Sequence, residues 1–335
     1  MDTSGFRLEP QDEFPHPPDD VENFNESVYM NAFDPGQRVG GFMRLGNRVN
    51  EGYAELSVCL FLPGGRVACQ FQRPPIDRSD RFEAGGLRYE CVTPFERQDM
   101  SFEGEVMVLD DPSALRDPGP VFESAPRVPA SVSWTGTGVS PAHGGEPTDP
   151  DAETLYGPEF SRGHFNQHTR NVGTIRVGDE EWPIDGFGWR DHSWGPRYWQ
   201  AIYAYRLLIA NFGPDRAFML LKNIGPDGRA RRLGVVLADG EYESVVDLEI
   251  ATDWTADRDP ERMRIGVRTP KRREIIEARV LTLAPLRNRR KAGDEVLFSR
   301  IAEGFTEFTW GDRTGYGIAE YIERVENGAP VGWPL

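Results

Sequence analysis

Within Tyr53-Ala-Glu-Leu-Ser-Val-Cys-Leu-Phe-Leu, apolar and polar side chains alternate from Ala54 to Val58, the period-two signature of a half-buried β-strand. Similar short patterned runs, punctuated by turn residues, recur along the chain. In the first half they predict strands over 28–32, 39–45, 53–62, 66–72, 87–94 and 100–108, with Pro63-Gly64-Gly65 closing a hairpin and Gly85-Gly86 opening a second group. Residues 110–120 read as a loop or short helical turn, and Ser131-Val-Ser-Trp-Thr-Gly-Thr-Gly as a further β-rich stretch. In the second half strands are expected over 171–177, 182–187, 200–210, 216–223, 232–237, 242–250, 263–269, 275–283, 303–310 and 315–324. Turn signals at Gly178-Asp179, Gly213-Pro214, Pro226-Asp227-Gly228 and Asp239-Gly240 separate several of them.

Two such runs of antiparallel-type strands predict an all-β chain of two barrels or sandwiches. The stretch 140–151 holds Pro, Gly and Asp but little to bury, and is the expected boundary. That gives an extended N-terminal arm over 1–25, where Pro15, Pro17 and Pro18 exclude regular pairing, a first domain over 26–150 and a second over 151–335.

Composition agrees with this picture: 36 Gly and 27 Pro among 335 residues suit many turns and are costly in helices. A formal net charge of -16 argues against nucleic acid as a partner, because phosphate binding needs a basic footprint. The basic runs Lys271 to Arg273 and Arg287 to Lys291 read as solvated loop and strand-edge charges. The first twenty residues lack the apolar core of a signal peptide and no later run is long enough to span a membrane, so a soluble, cytoplasmic protein is expected. Cys59, Cys69 and Cys91 read as small hydrophobes on strands. No glycine-rich phosphate loop follows a strand and no serine lies in a G-x-S-x-G elbow. Neither a nucleotide cofactor nor covalent serine or cysteine hydrolysis is expected, and no cofactor of any kind is called for.

The candidate chemistry is concentrated between Trp182 and Trp199, which holds four of the eight tryptophans. Asp191, His192, Arg190, Arg197 and Ser193 lie there among Trp189 and Trp194, and each charged group is expensive to bury unpaired. Neighbours on a strand face opposite ways, so Asp191 and His192 share a pocket only if the backbone is irregular, which Gly186, Gly188 and Gly195 permit. Paired with Arg190 or Arg197, Asp191 is structural. Left among indoles, its pKa rises and it becomes a proton donor.

Further groups join this list. His164 and His168 have H-x-x-x-H spacing, but Gly163, Asn166, Thr169 and Asn171 argue against the helix that a metal pair needs. A metal-dependent hydrolase using them with His192 is the remote alternative. His168 is also placed to hydrogen-bond Asp191 or a substrate oxygen. Tyr203 and Tyr205 alternate along one face, as pocket wall or as core. Glu320 shares an apolar face with Tyr316, Ile318 and Ile322 and needs a partner, for which Arg190 or Arg197 is the candidate. Arg44, Asn50 and Glu51 are polar groups beside an apolar strand, equally explained by a loop salt bridge.

The run Asp185-Gly-Phe-Gly-Trp-Arg-Asp-His-Ser-Trp-Gly-Pro-Arg resembles the R-D-H-x-W-G hallmark of the AttH and carotenoid 1,2-hydratase (hydroxyneurosporene synthase) superfamily. Asn50-Glu-Gly-Tyr-Ala-Glu, Gly85-Gly-Leu-Arg-Tyr-Glu and Gly317-Ile-Ala-Glu-Tyr resemble other recurring segments of its bacterial members without assigned function. The resemblance implies two lipocalin-like antiparallel barrels side by side and a hydrophobic small-molecule ligand. It also implies acid catalysis of a hydratase, dehydratase or cyclase type without cofactor, on a terpenoid, steroid or aromatic molecule. Asp191 would be the acid, with His192 beside it, and Trp189, Trp194 and Tyr203 would stabilise a carbocation. His168, Arg190, Arg197 and Glu320 complete the expected substrate site. The competing reading is a lipid-binding protein in which Arg190, Asp191 and Glu320 form a buried ion network; a homodimer is compatible with either.

Overall fold

The computed structural model describes residues 5–149, 154, 160–198, 202–225, 228–292 and 295–331. Trp199, the start of the expected strand 200–210, the end of the expected boundary at 150–151 and Pro226-Asp227 lie outside these residues. The chain is all-β and divides into two compact units.

In the first unit eight antiparallel strands close into a ring, each hydrogen-bonded to the next: Gly163–Val177, Glu180–Pro196, Phe24–Asp34, Val39–Arg48, Tyr53–Phe61, Val67–Gln72, Arg97–Leu109 and Arg127–Gly138, which returns to Gly163–Val177. Closure leaves the ring itself no free edge. Alternation sends Val28, Met30, Met43, Leu45, Leu56, Val58, Met100, Phe102, Val132, Trp134 and Ile175 into one core. Each such large side chain removed from water contributes about 1.5–3 kcal/mol. His143–Pro147 pairs with the start of Gly163–Val177 and carries Phe6–Arg7 on its other side, so the arm is tied to the sheet.

The second unit is a sheet in the order Glu241–Ser244, Ala230–Ala238, Arg216–Ile224, Ala204–Asn211, Arg313–Glu326, Glu295–Trp310, Arg273–Ala292, Pro260–Arg268 and Asp247–Trp254. Leu208, Phe218, Leu220, Val236, Ile265, Ile276, Phe308 and Tyr321 are among its core residues. Residues 109–125, a short helical excursion between two strands of the first ring, belong to this unit. Arg116 within them is bound to Asp259.

The structure corrects two expectations. The first unit does not end near 140–151 but continues to Tyr198, because Gly163–Val177 and Glu180–Pro196 are needed to close its ring. The strands expected at 171–177 and 182–187 do flank the turn at Gly178 and Asp179, but they extend over Gly163–Val177 and Glu180–Pro196, so the motif expected to be irregular is itself strand. The basic run from Arg287, expected in a loop or at a strand edge, lies on the long strand Arg273–Ala292.

Candidate functional site

The strand Glu180–Pro196 runs between Gly163–Val177 and Phe24–Asp34 without a break in register at the motif. Arg190 lies opposite Gln167 and Met30, Asp191 opposite Asn166 and Tyr29, and His192 opposite Phe165 and Val28. Gly186 and Gly188 do allow close approach. A Cβ on Gly188 would overlap the Asn31 carbonyl oxygen, and one on Gly186 that of Phe33. Pairing with Gly163–Val177 is continuous; on the Phe24–Asp34 side it lapses at Gly188 and Trp189, whose N–H donates to Asn31 Oδ1 at 2.9 Å, and resumes in the same register at Arg190, and the only left-handed residue between 180 and 196 is Gly195, φ 124°. Asp191 and His192 therefore face opposite ways and do not line one pocket, against expectation.

Arg190, His192 and Trp194 share the side of Val28 and Met30 and meet the N-terminal arm. Arg190 grips Glu13 with both terminal nitrogens, at 2.7 and 2.6 Å, and donates to Gln167 Oε1 from Nε (3.0 Å) and Nη2 (2.6 Å). Its guanidinium lies 4.9 Å from the centre of the Phe165 ring. Both charged side chains are wholly buried. The Phe95 N–H also donates to Glu13, at 2.6 Å. Beside them His192 Nε2 and His16 Nδ1 converge on Glu26 Oε1, at 2.9 and 2.7 Å, and the His16 backbone N–H bonds both carboxylate oxygens at 3.0 Å. Burial pushes the Glu26 carboxyl up, but the hydrogen bonds from His16 and His192 outweigh it and hold the group below its ordinary value. The His16 ring stacks on Trp194 at 4.1 Å.

The opposite face carries different chemistry. Reading straight across the strands, His143, Asn166, Asp191, Tyr29, Arg44 and Ser57 form one row. Flanking rows contribute His168 with Trp189, and His164 with Ser193 and Ser27. Direct cross-strand partners have Cβ atoms about 4.5–5.5 Å apart, so Asp191 has an amide and a phenol as side neighbours, with Trp189 and Ser193 along its own strand. Trp189, His168, His164, Asn166 and Ser193 are buried and Asp191 is half-buried. His164 Nε2 lies 3.1 Å from Asn166 Oδ1, and burial drives its pKa down to about 3, which keeps the imidazole neutral. Burial lowers His143 as well. Asn31 Nδ2 donates to the Tyr29 hydroxyl at 3.1 Å. Arg197 donates to Ser193 Oγ at 3.0 Å and lies 4.2 Å from the Phe160 ring centre. This face offers a carboxyl group, imidazoles, a phenol and an indole, the components of proton transfer.

Of the expected site residues, then, Trp189, His168 and Asp191 share a face and Arg197 reaches it through Ser193. Trp194, His192 and Arg190 do not. His164 and His168 lie on the Asp191 face but about 13 Å apart along an extended strand. With His192 on the other side, the three-histidine metal set is ruled out.

Tyr203 and Glu320 belong to the second unit. The Arg324 guanidinium lies 4.9 Å from the centre of the Tyr203 ring. Glu320 accepts a hydrogen bond from the Tyr205 hydroxyl and lies opposite Glu303 on the neighbouring strand. Arg190 is Glu13's partner, not Glu320's. Burial, followed by the charge and hydrogen bond of Glu320, raises Glu303 well above the usual carboxylate range. Sequence reasoning missed Glu13, His16 and Glu26. The signal available was that Arg190 and His192, if turned inward, would each require an acid.

A family model described as a domain of unknown function (DUF7064) matches residues 9–325. No curated protein matches the chain. Among solved structures, a Nitrosomonas europaea protein assigned provisionally to AttH superposes with a TM-score of 0.59 at 15% identity, over 96% of this chain and 98% of its own. CghA aligns with a TM-score of 0.59 at 11% identity, over 96% and 94%. Kievitone hydratase from Nectria haematococca gives 0.54 at 11% identity, also over 96% and 94%. At these identities the likeness is one of fold: AttH-like and lipocalin-like.

Proposed function

The chain belongs to the DUF7064 family, and from that premise we propose that it is a cofactor-independent lyase or isomerase of the hydratase, dehydratase or cyclase type. Its substrate is a hydrophobic terpenoid, steroid or aromatic small molecule, and Asp191 is its acid. One observation carries this reading. Strand alternation separates Asp191 from the Arg190–Glu13 pair and sets it beside Trp189, Tyr29 and Asn166, with His164 and His168 diagonal to it. The fold shared with a protein named a hydratase lends support.

In this mechanism Asp191 transfers its proton to one carbon of a substrate double bond, and the other carbon becomes cationic. The Trp189 ring face stabilises that charge. Water then adds to the cation while an imidazole, His164 or His168, takes the proton released; alternatively an adjacent C–H proton leaves and a double bond re-forms. Arg190, Glu13, His192 and Glu26 hold the strand and the arm in place. The test is the Asp191→Asn variant on a panel of prenylated phenols, terpenes and sterols. Gain or loss of water should fall at least a hundredfold while ligand binding and melting temperature stay near the parent's. Unchanged turnover would remove Asp191 from the chemistry.

A further inference from the structure

Among the described residues, the metal-binding atoms of His16, Glu26 and His192 converge to within 4.8 Å of one another, away from the face that carries Asp191. They come from three separate segments: the arm, the first ring strand and the motif strand. Nothing in local sequence would gather them, and the fold does. Two imidazole nitrogens and one carboxylate oxygen are a donor set that divalent zinc accepts, and the imidazoles disfavour calcium or magnesium.

The surroundings suit such an ion. His16 Nε2 lies 3.4 Å from Asp12 Oδ1, the outer carboxylate that commonly orients a metal-bound histidine. His192 is packed edge-on by Phe82 at 5.3 Å, Phe165 at 5.6 Å and Trp194 at 5.4 Å, so its ring is held by aromatic contact. Glu26 and His192 are wholly buried, while the His16 side chain is 20% exposed and gives the site an entry. With 2.7 and 2.9 Å separating the two nitrogens from Glu26 Oε1, an ion bound at about 2.0–2.1 Å to each fits after small side-chain shifts.

We propose that His16, Glu26 and His192 bind one divalent transition-metal ion of the zinc class, which fastens the N-terminal arm to the wall of the first barrel. Ion binding displaces the hydrogen-bonding protons between these groups and leaves a fourth position for water or the second Glu26 oxygen. The site lies on the opposite strand face from Asp191, so it stands or falls independently of the catalytic reading.

The test uses the full chain, purified without chelator, with zinc measured by elemental analysis and cobalt used as a spectroscopic probe. The expected result is about one zinc per chain, a melting temperature that falls on chelation and recovers with added zinc, and tetrahedral-type cobalt absorption. His16→Gln, a change in the arm that leaves the ring strands intact, should abolish all three, as should Glu26→Gln. Protein isolated free of metal, with zinc and cobalt shifting parent and His16→Gln equally or not at all, would overturn the proposal and leave a hydrogen-bonded clasp. Zinc retained equally by both would overturn it too, by placing the ion elsewhere.

Discussion

Arg190 decides how the motif is to be understood. A wholly buried guanidinium needs a wholly buried acid, and Glu13 supplies it from 177 residues away. Removing one member of such a pair strands the other charge and costs about 3–5 kcal/mol, whereas replacing both with apolar groups of similar volume can be neutral. Glu13→Gln is therefore expected to lower unfolding free energy by about that amount in urea titrations, and Arg190→Met combined with Glu13→Leu by clearly less. Equal losses in the single and double variants would show that packing, not charge, holds the arm. His164 gives a residue-scale pH effect. Its folded pKa, about 3, lies below the unfolded value of about 6.5, so the unfolded chain binds the extra proton between them. Stability is present above pH 6.5 and declines as pH falls toward 3, and His164→Gln should flatten that slope in urea midpoints measured from pH 7 to 4. The sequence marked Asp191 and Arg190 as chemically loaded. It could not show which acid Arg190 uses, because that partner is distant in the chain and lies in an arm with no periodic signal.

At the scale of elements, strand positions were legible where apolar alternation met Gly, Pro or Asp turns, as at Tyr53–Phe61, Val67–Gln72 and Arg216–Ile224. Glu180–Pro196 was harder to read: Gly-Phe-Gly-Trp-Arg-Asp-His has weak strand propensity, and its glycines suggested irregularity. Their actual role is close packing of Gly188 on the Asn31 backbone, beside Asn171 Nδ2, which donates to the same carbonyl at 2.7 Å. Gly188→Ala should accordingly force the two strands apart and lower the melting temperature by several degrees, while Gly178→Asn, at a left-handed turn position with open space, should be nearly silent. Equal behaviour of the two would contradict the packing account. In the second unit the facing Glu303 and Glu320 add a pH effect of the opposite sign to His164. With its folded pKa raised, Glu303 is more protonated folded than unfolded; the stability it contributes is full below the unfolded value and is lost as pH rises through the folded one. Glu303→Gln should remove that loss, seen as a flatter decline in melting temperature as pH rises above the ordinary carboxylate range.

For the molecule as a whole, two β units were foreseeable from strand count and the superfamily resemblance, and the shared fold agrees. The division between them was not. The first ring takes strands from residues 24 to 196 and is interrupted by an excursion that belongs to the second unit, and only long-range pairing reveals this. Among the described residues no helix is long and apolar enough to cross a membrane. The functional claim rests on Asp191 lying beside Trp189 on the strand face opposite the one where Arg190 and His192 meet Glu13 and Glu26. The most direct test follows oxygen-18 from labelled water into product over a single turnover, comparing parent and Asp191→Asn protein on a substrate both bind. The account predicts incorporation, or its reverse in dehydration, by the parent and none above background by the variant; equal label transfer by the two would contradict it.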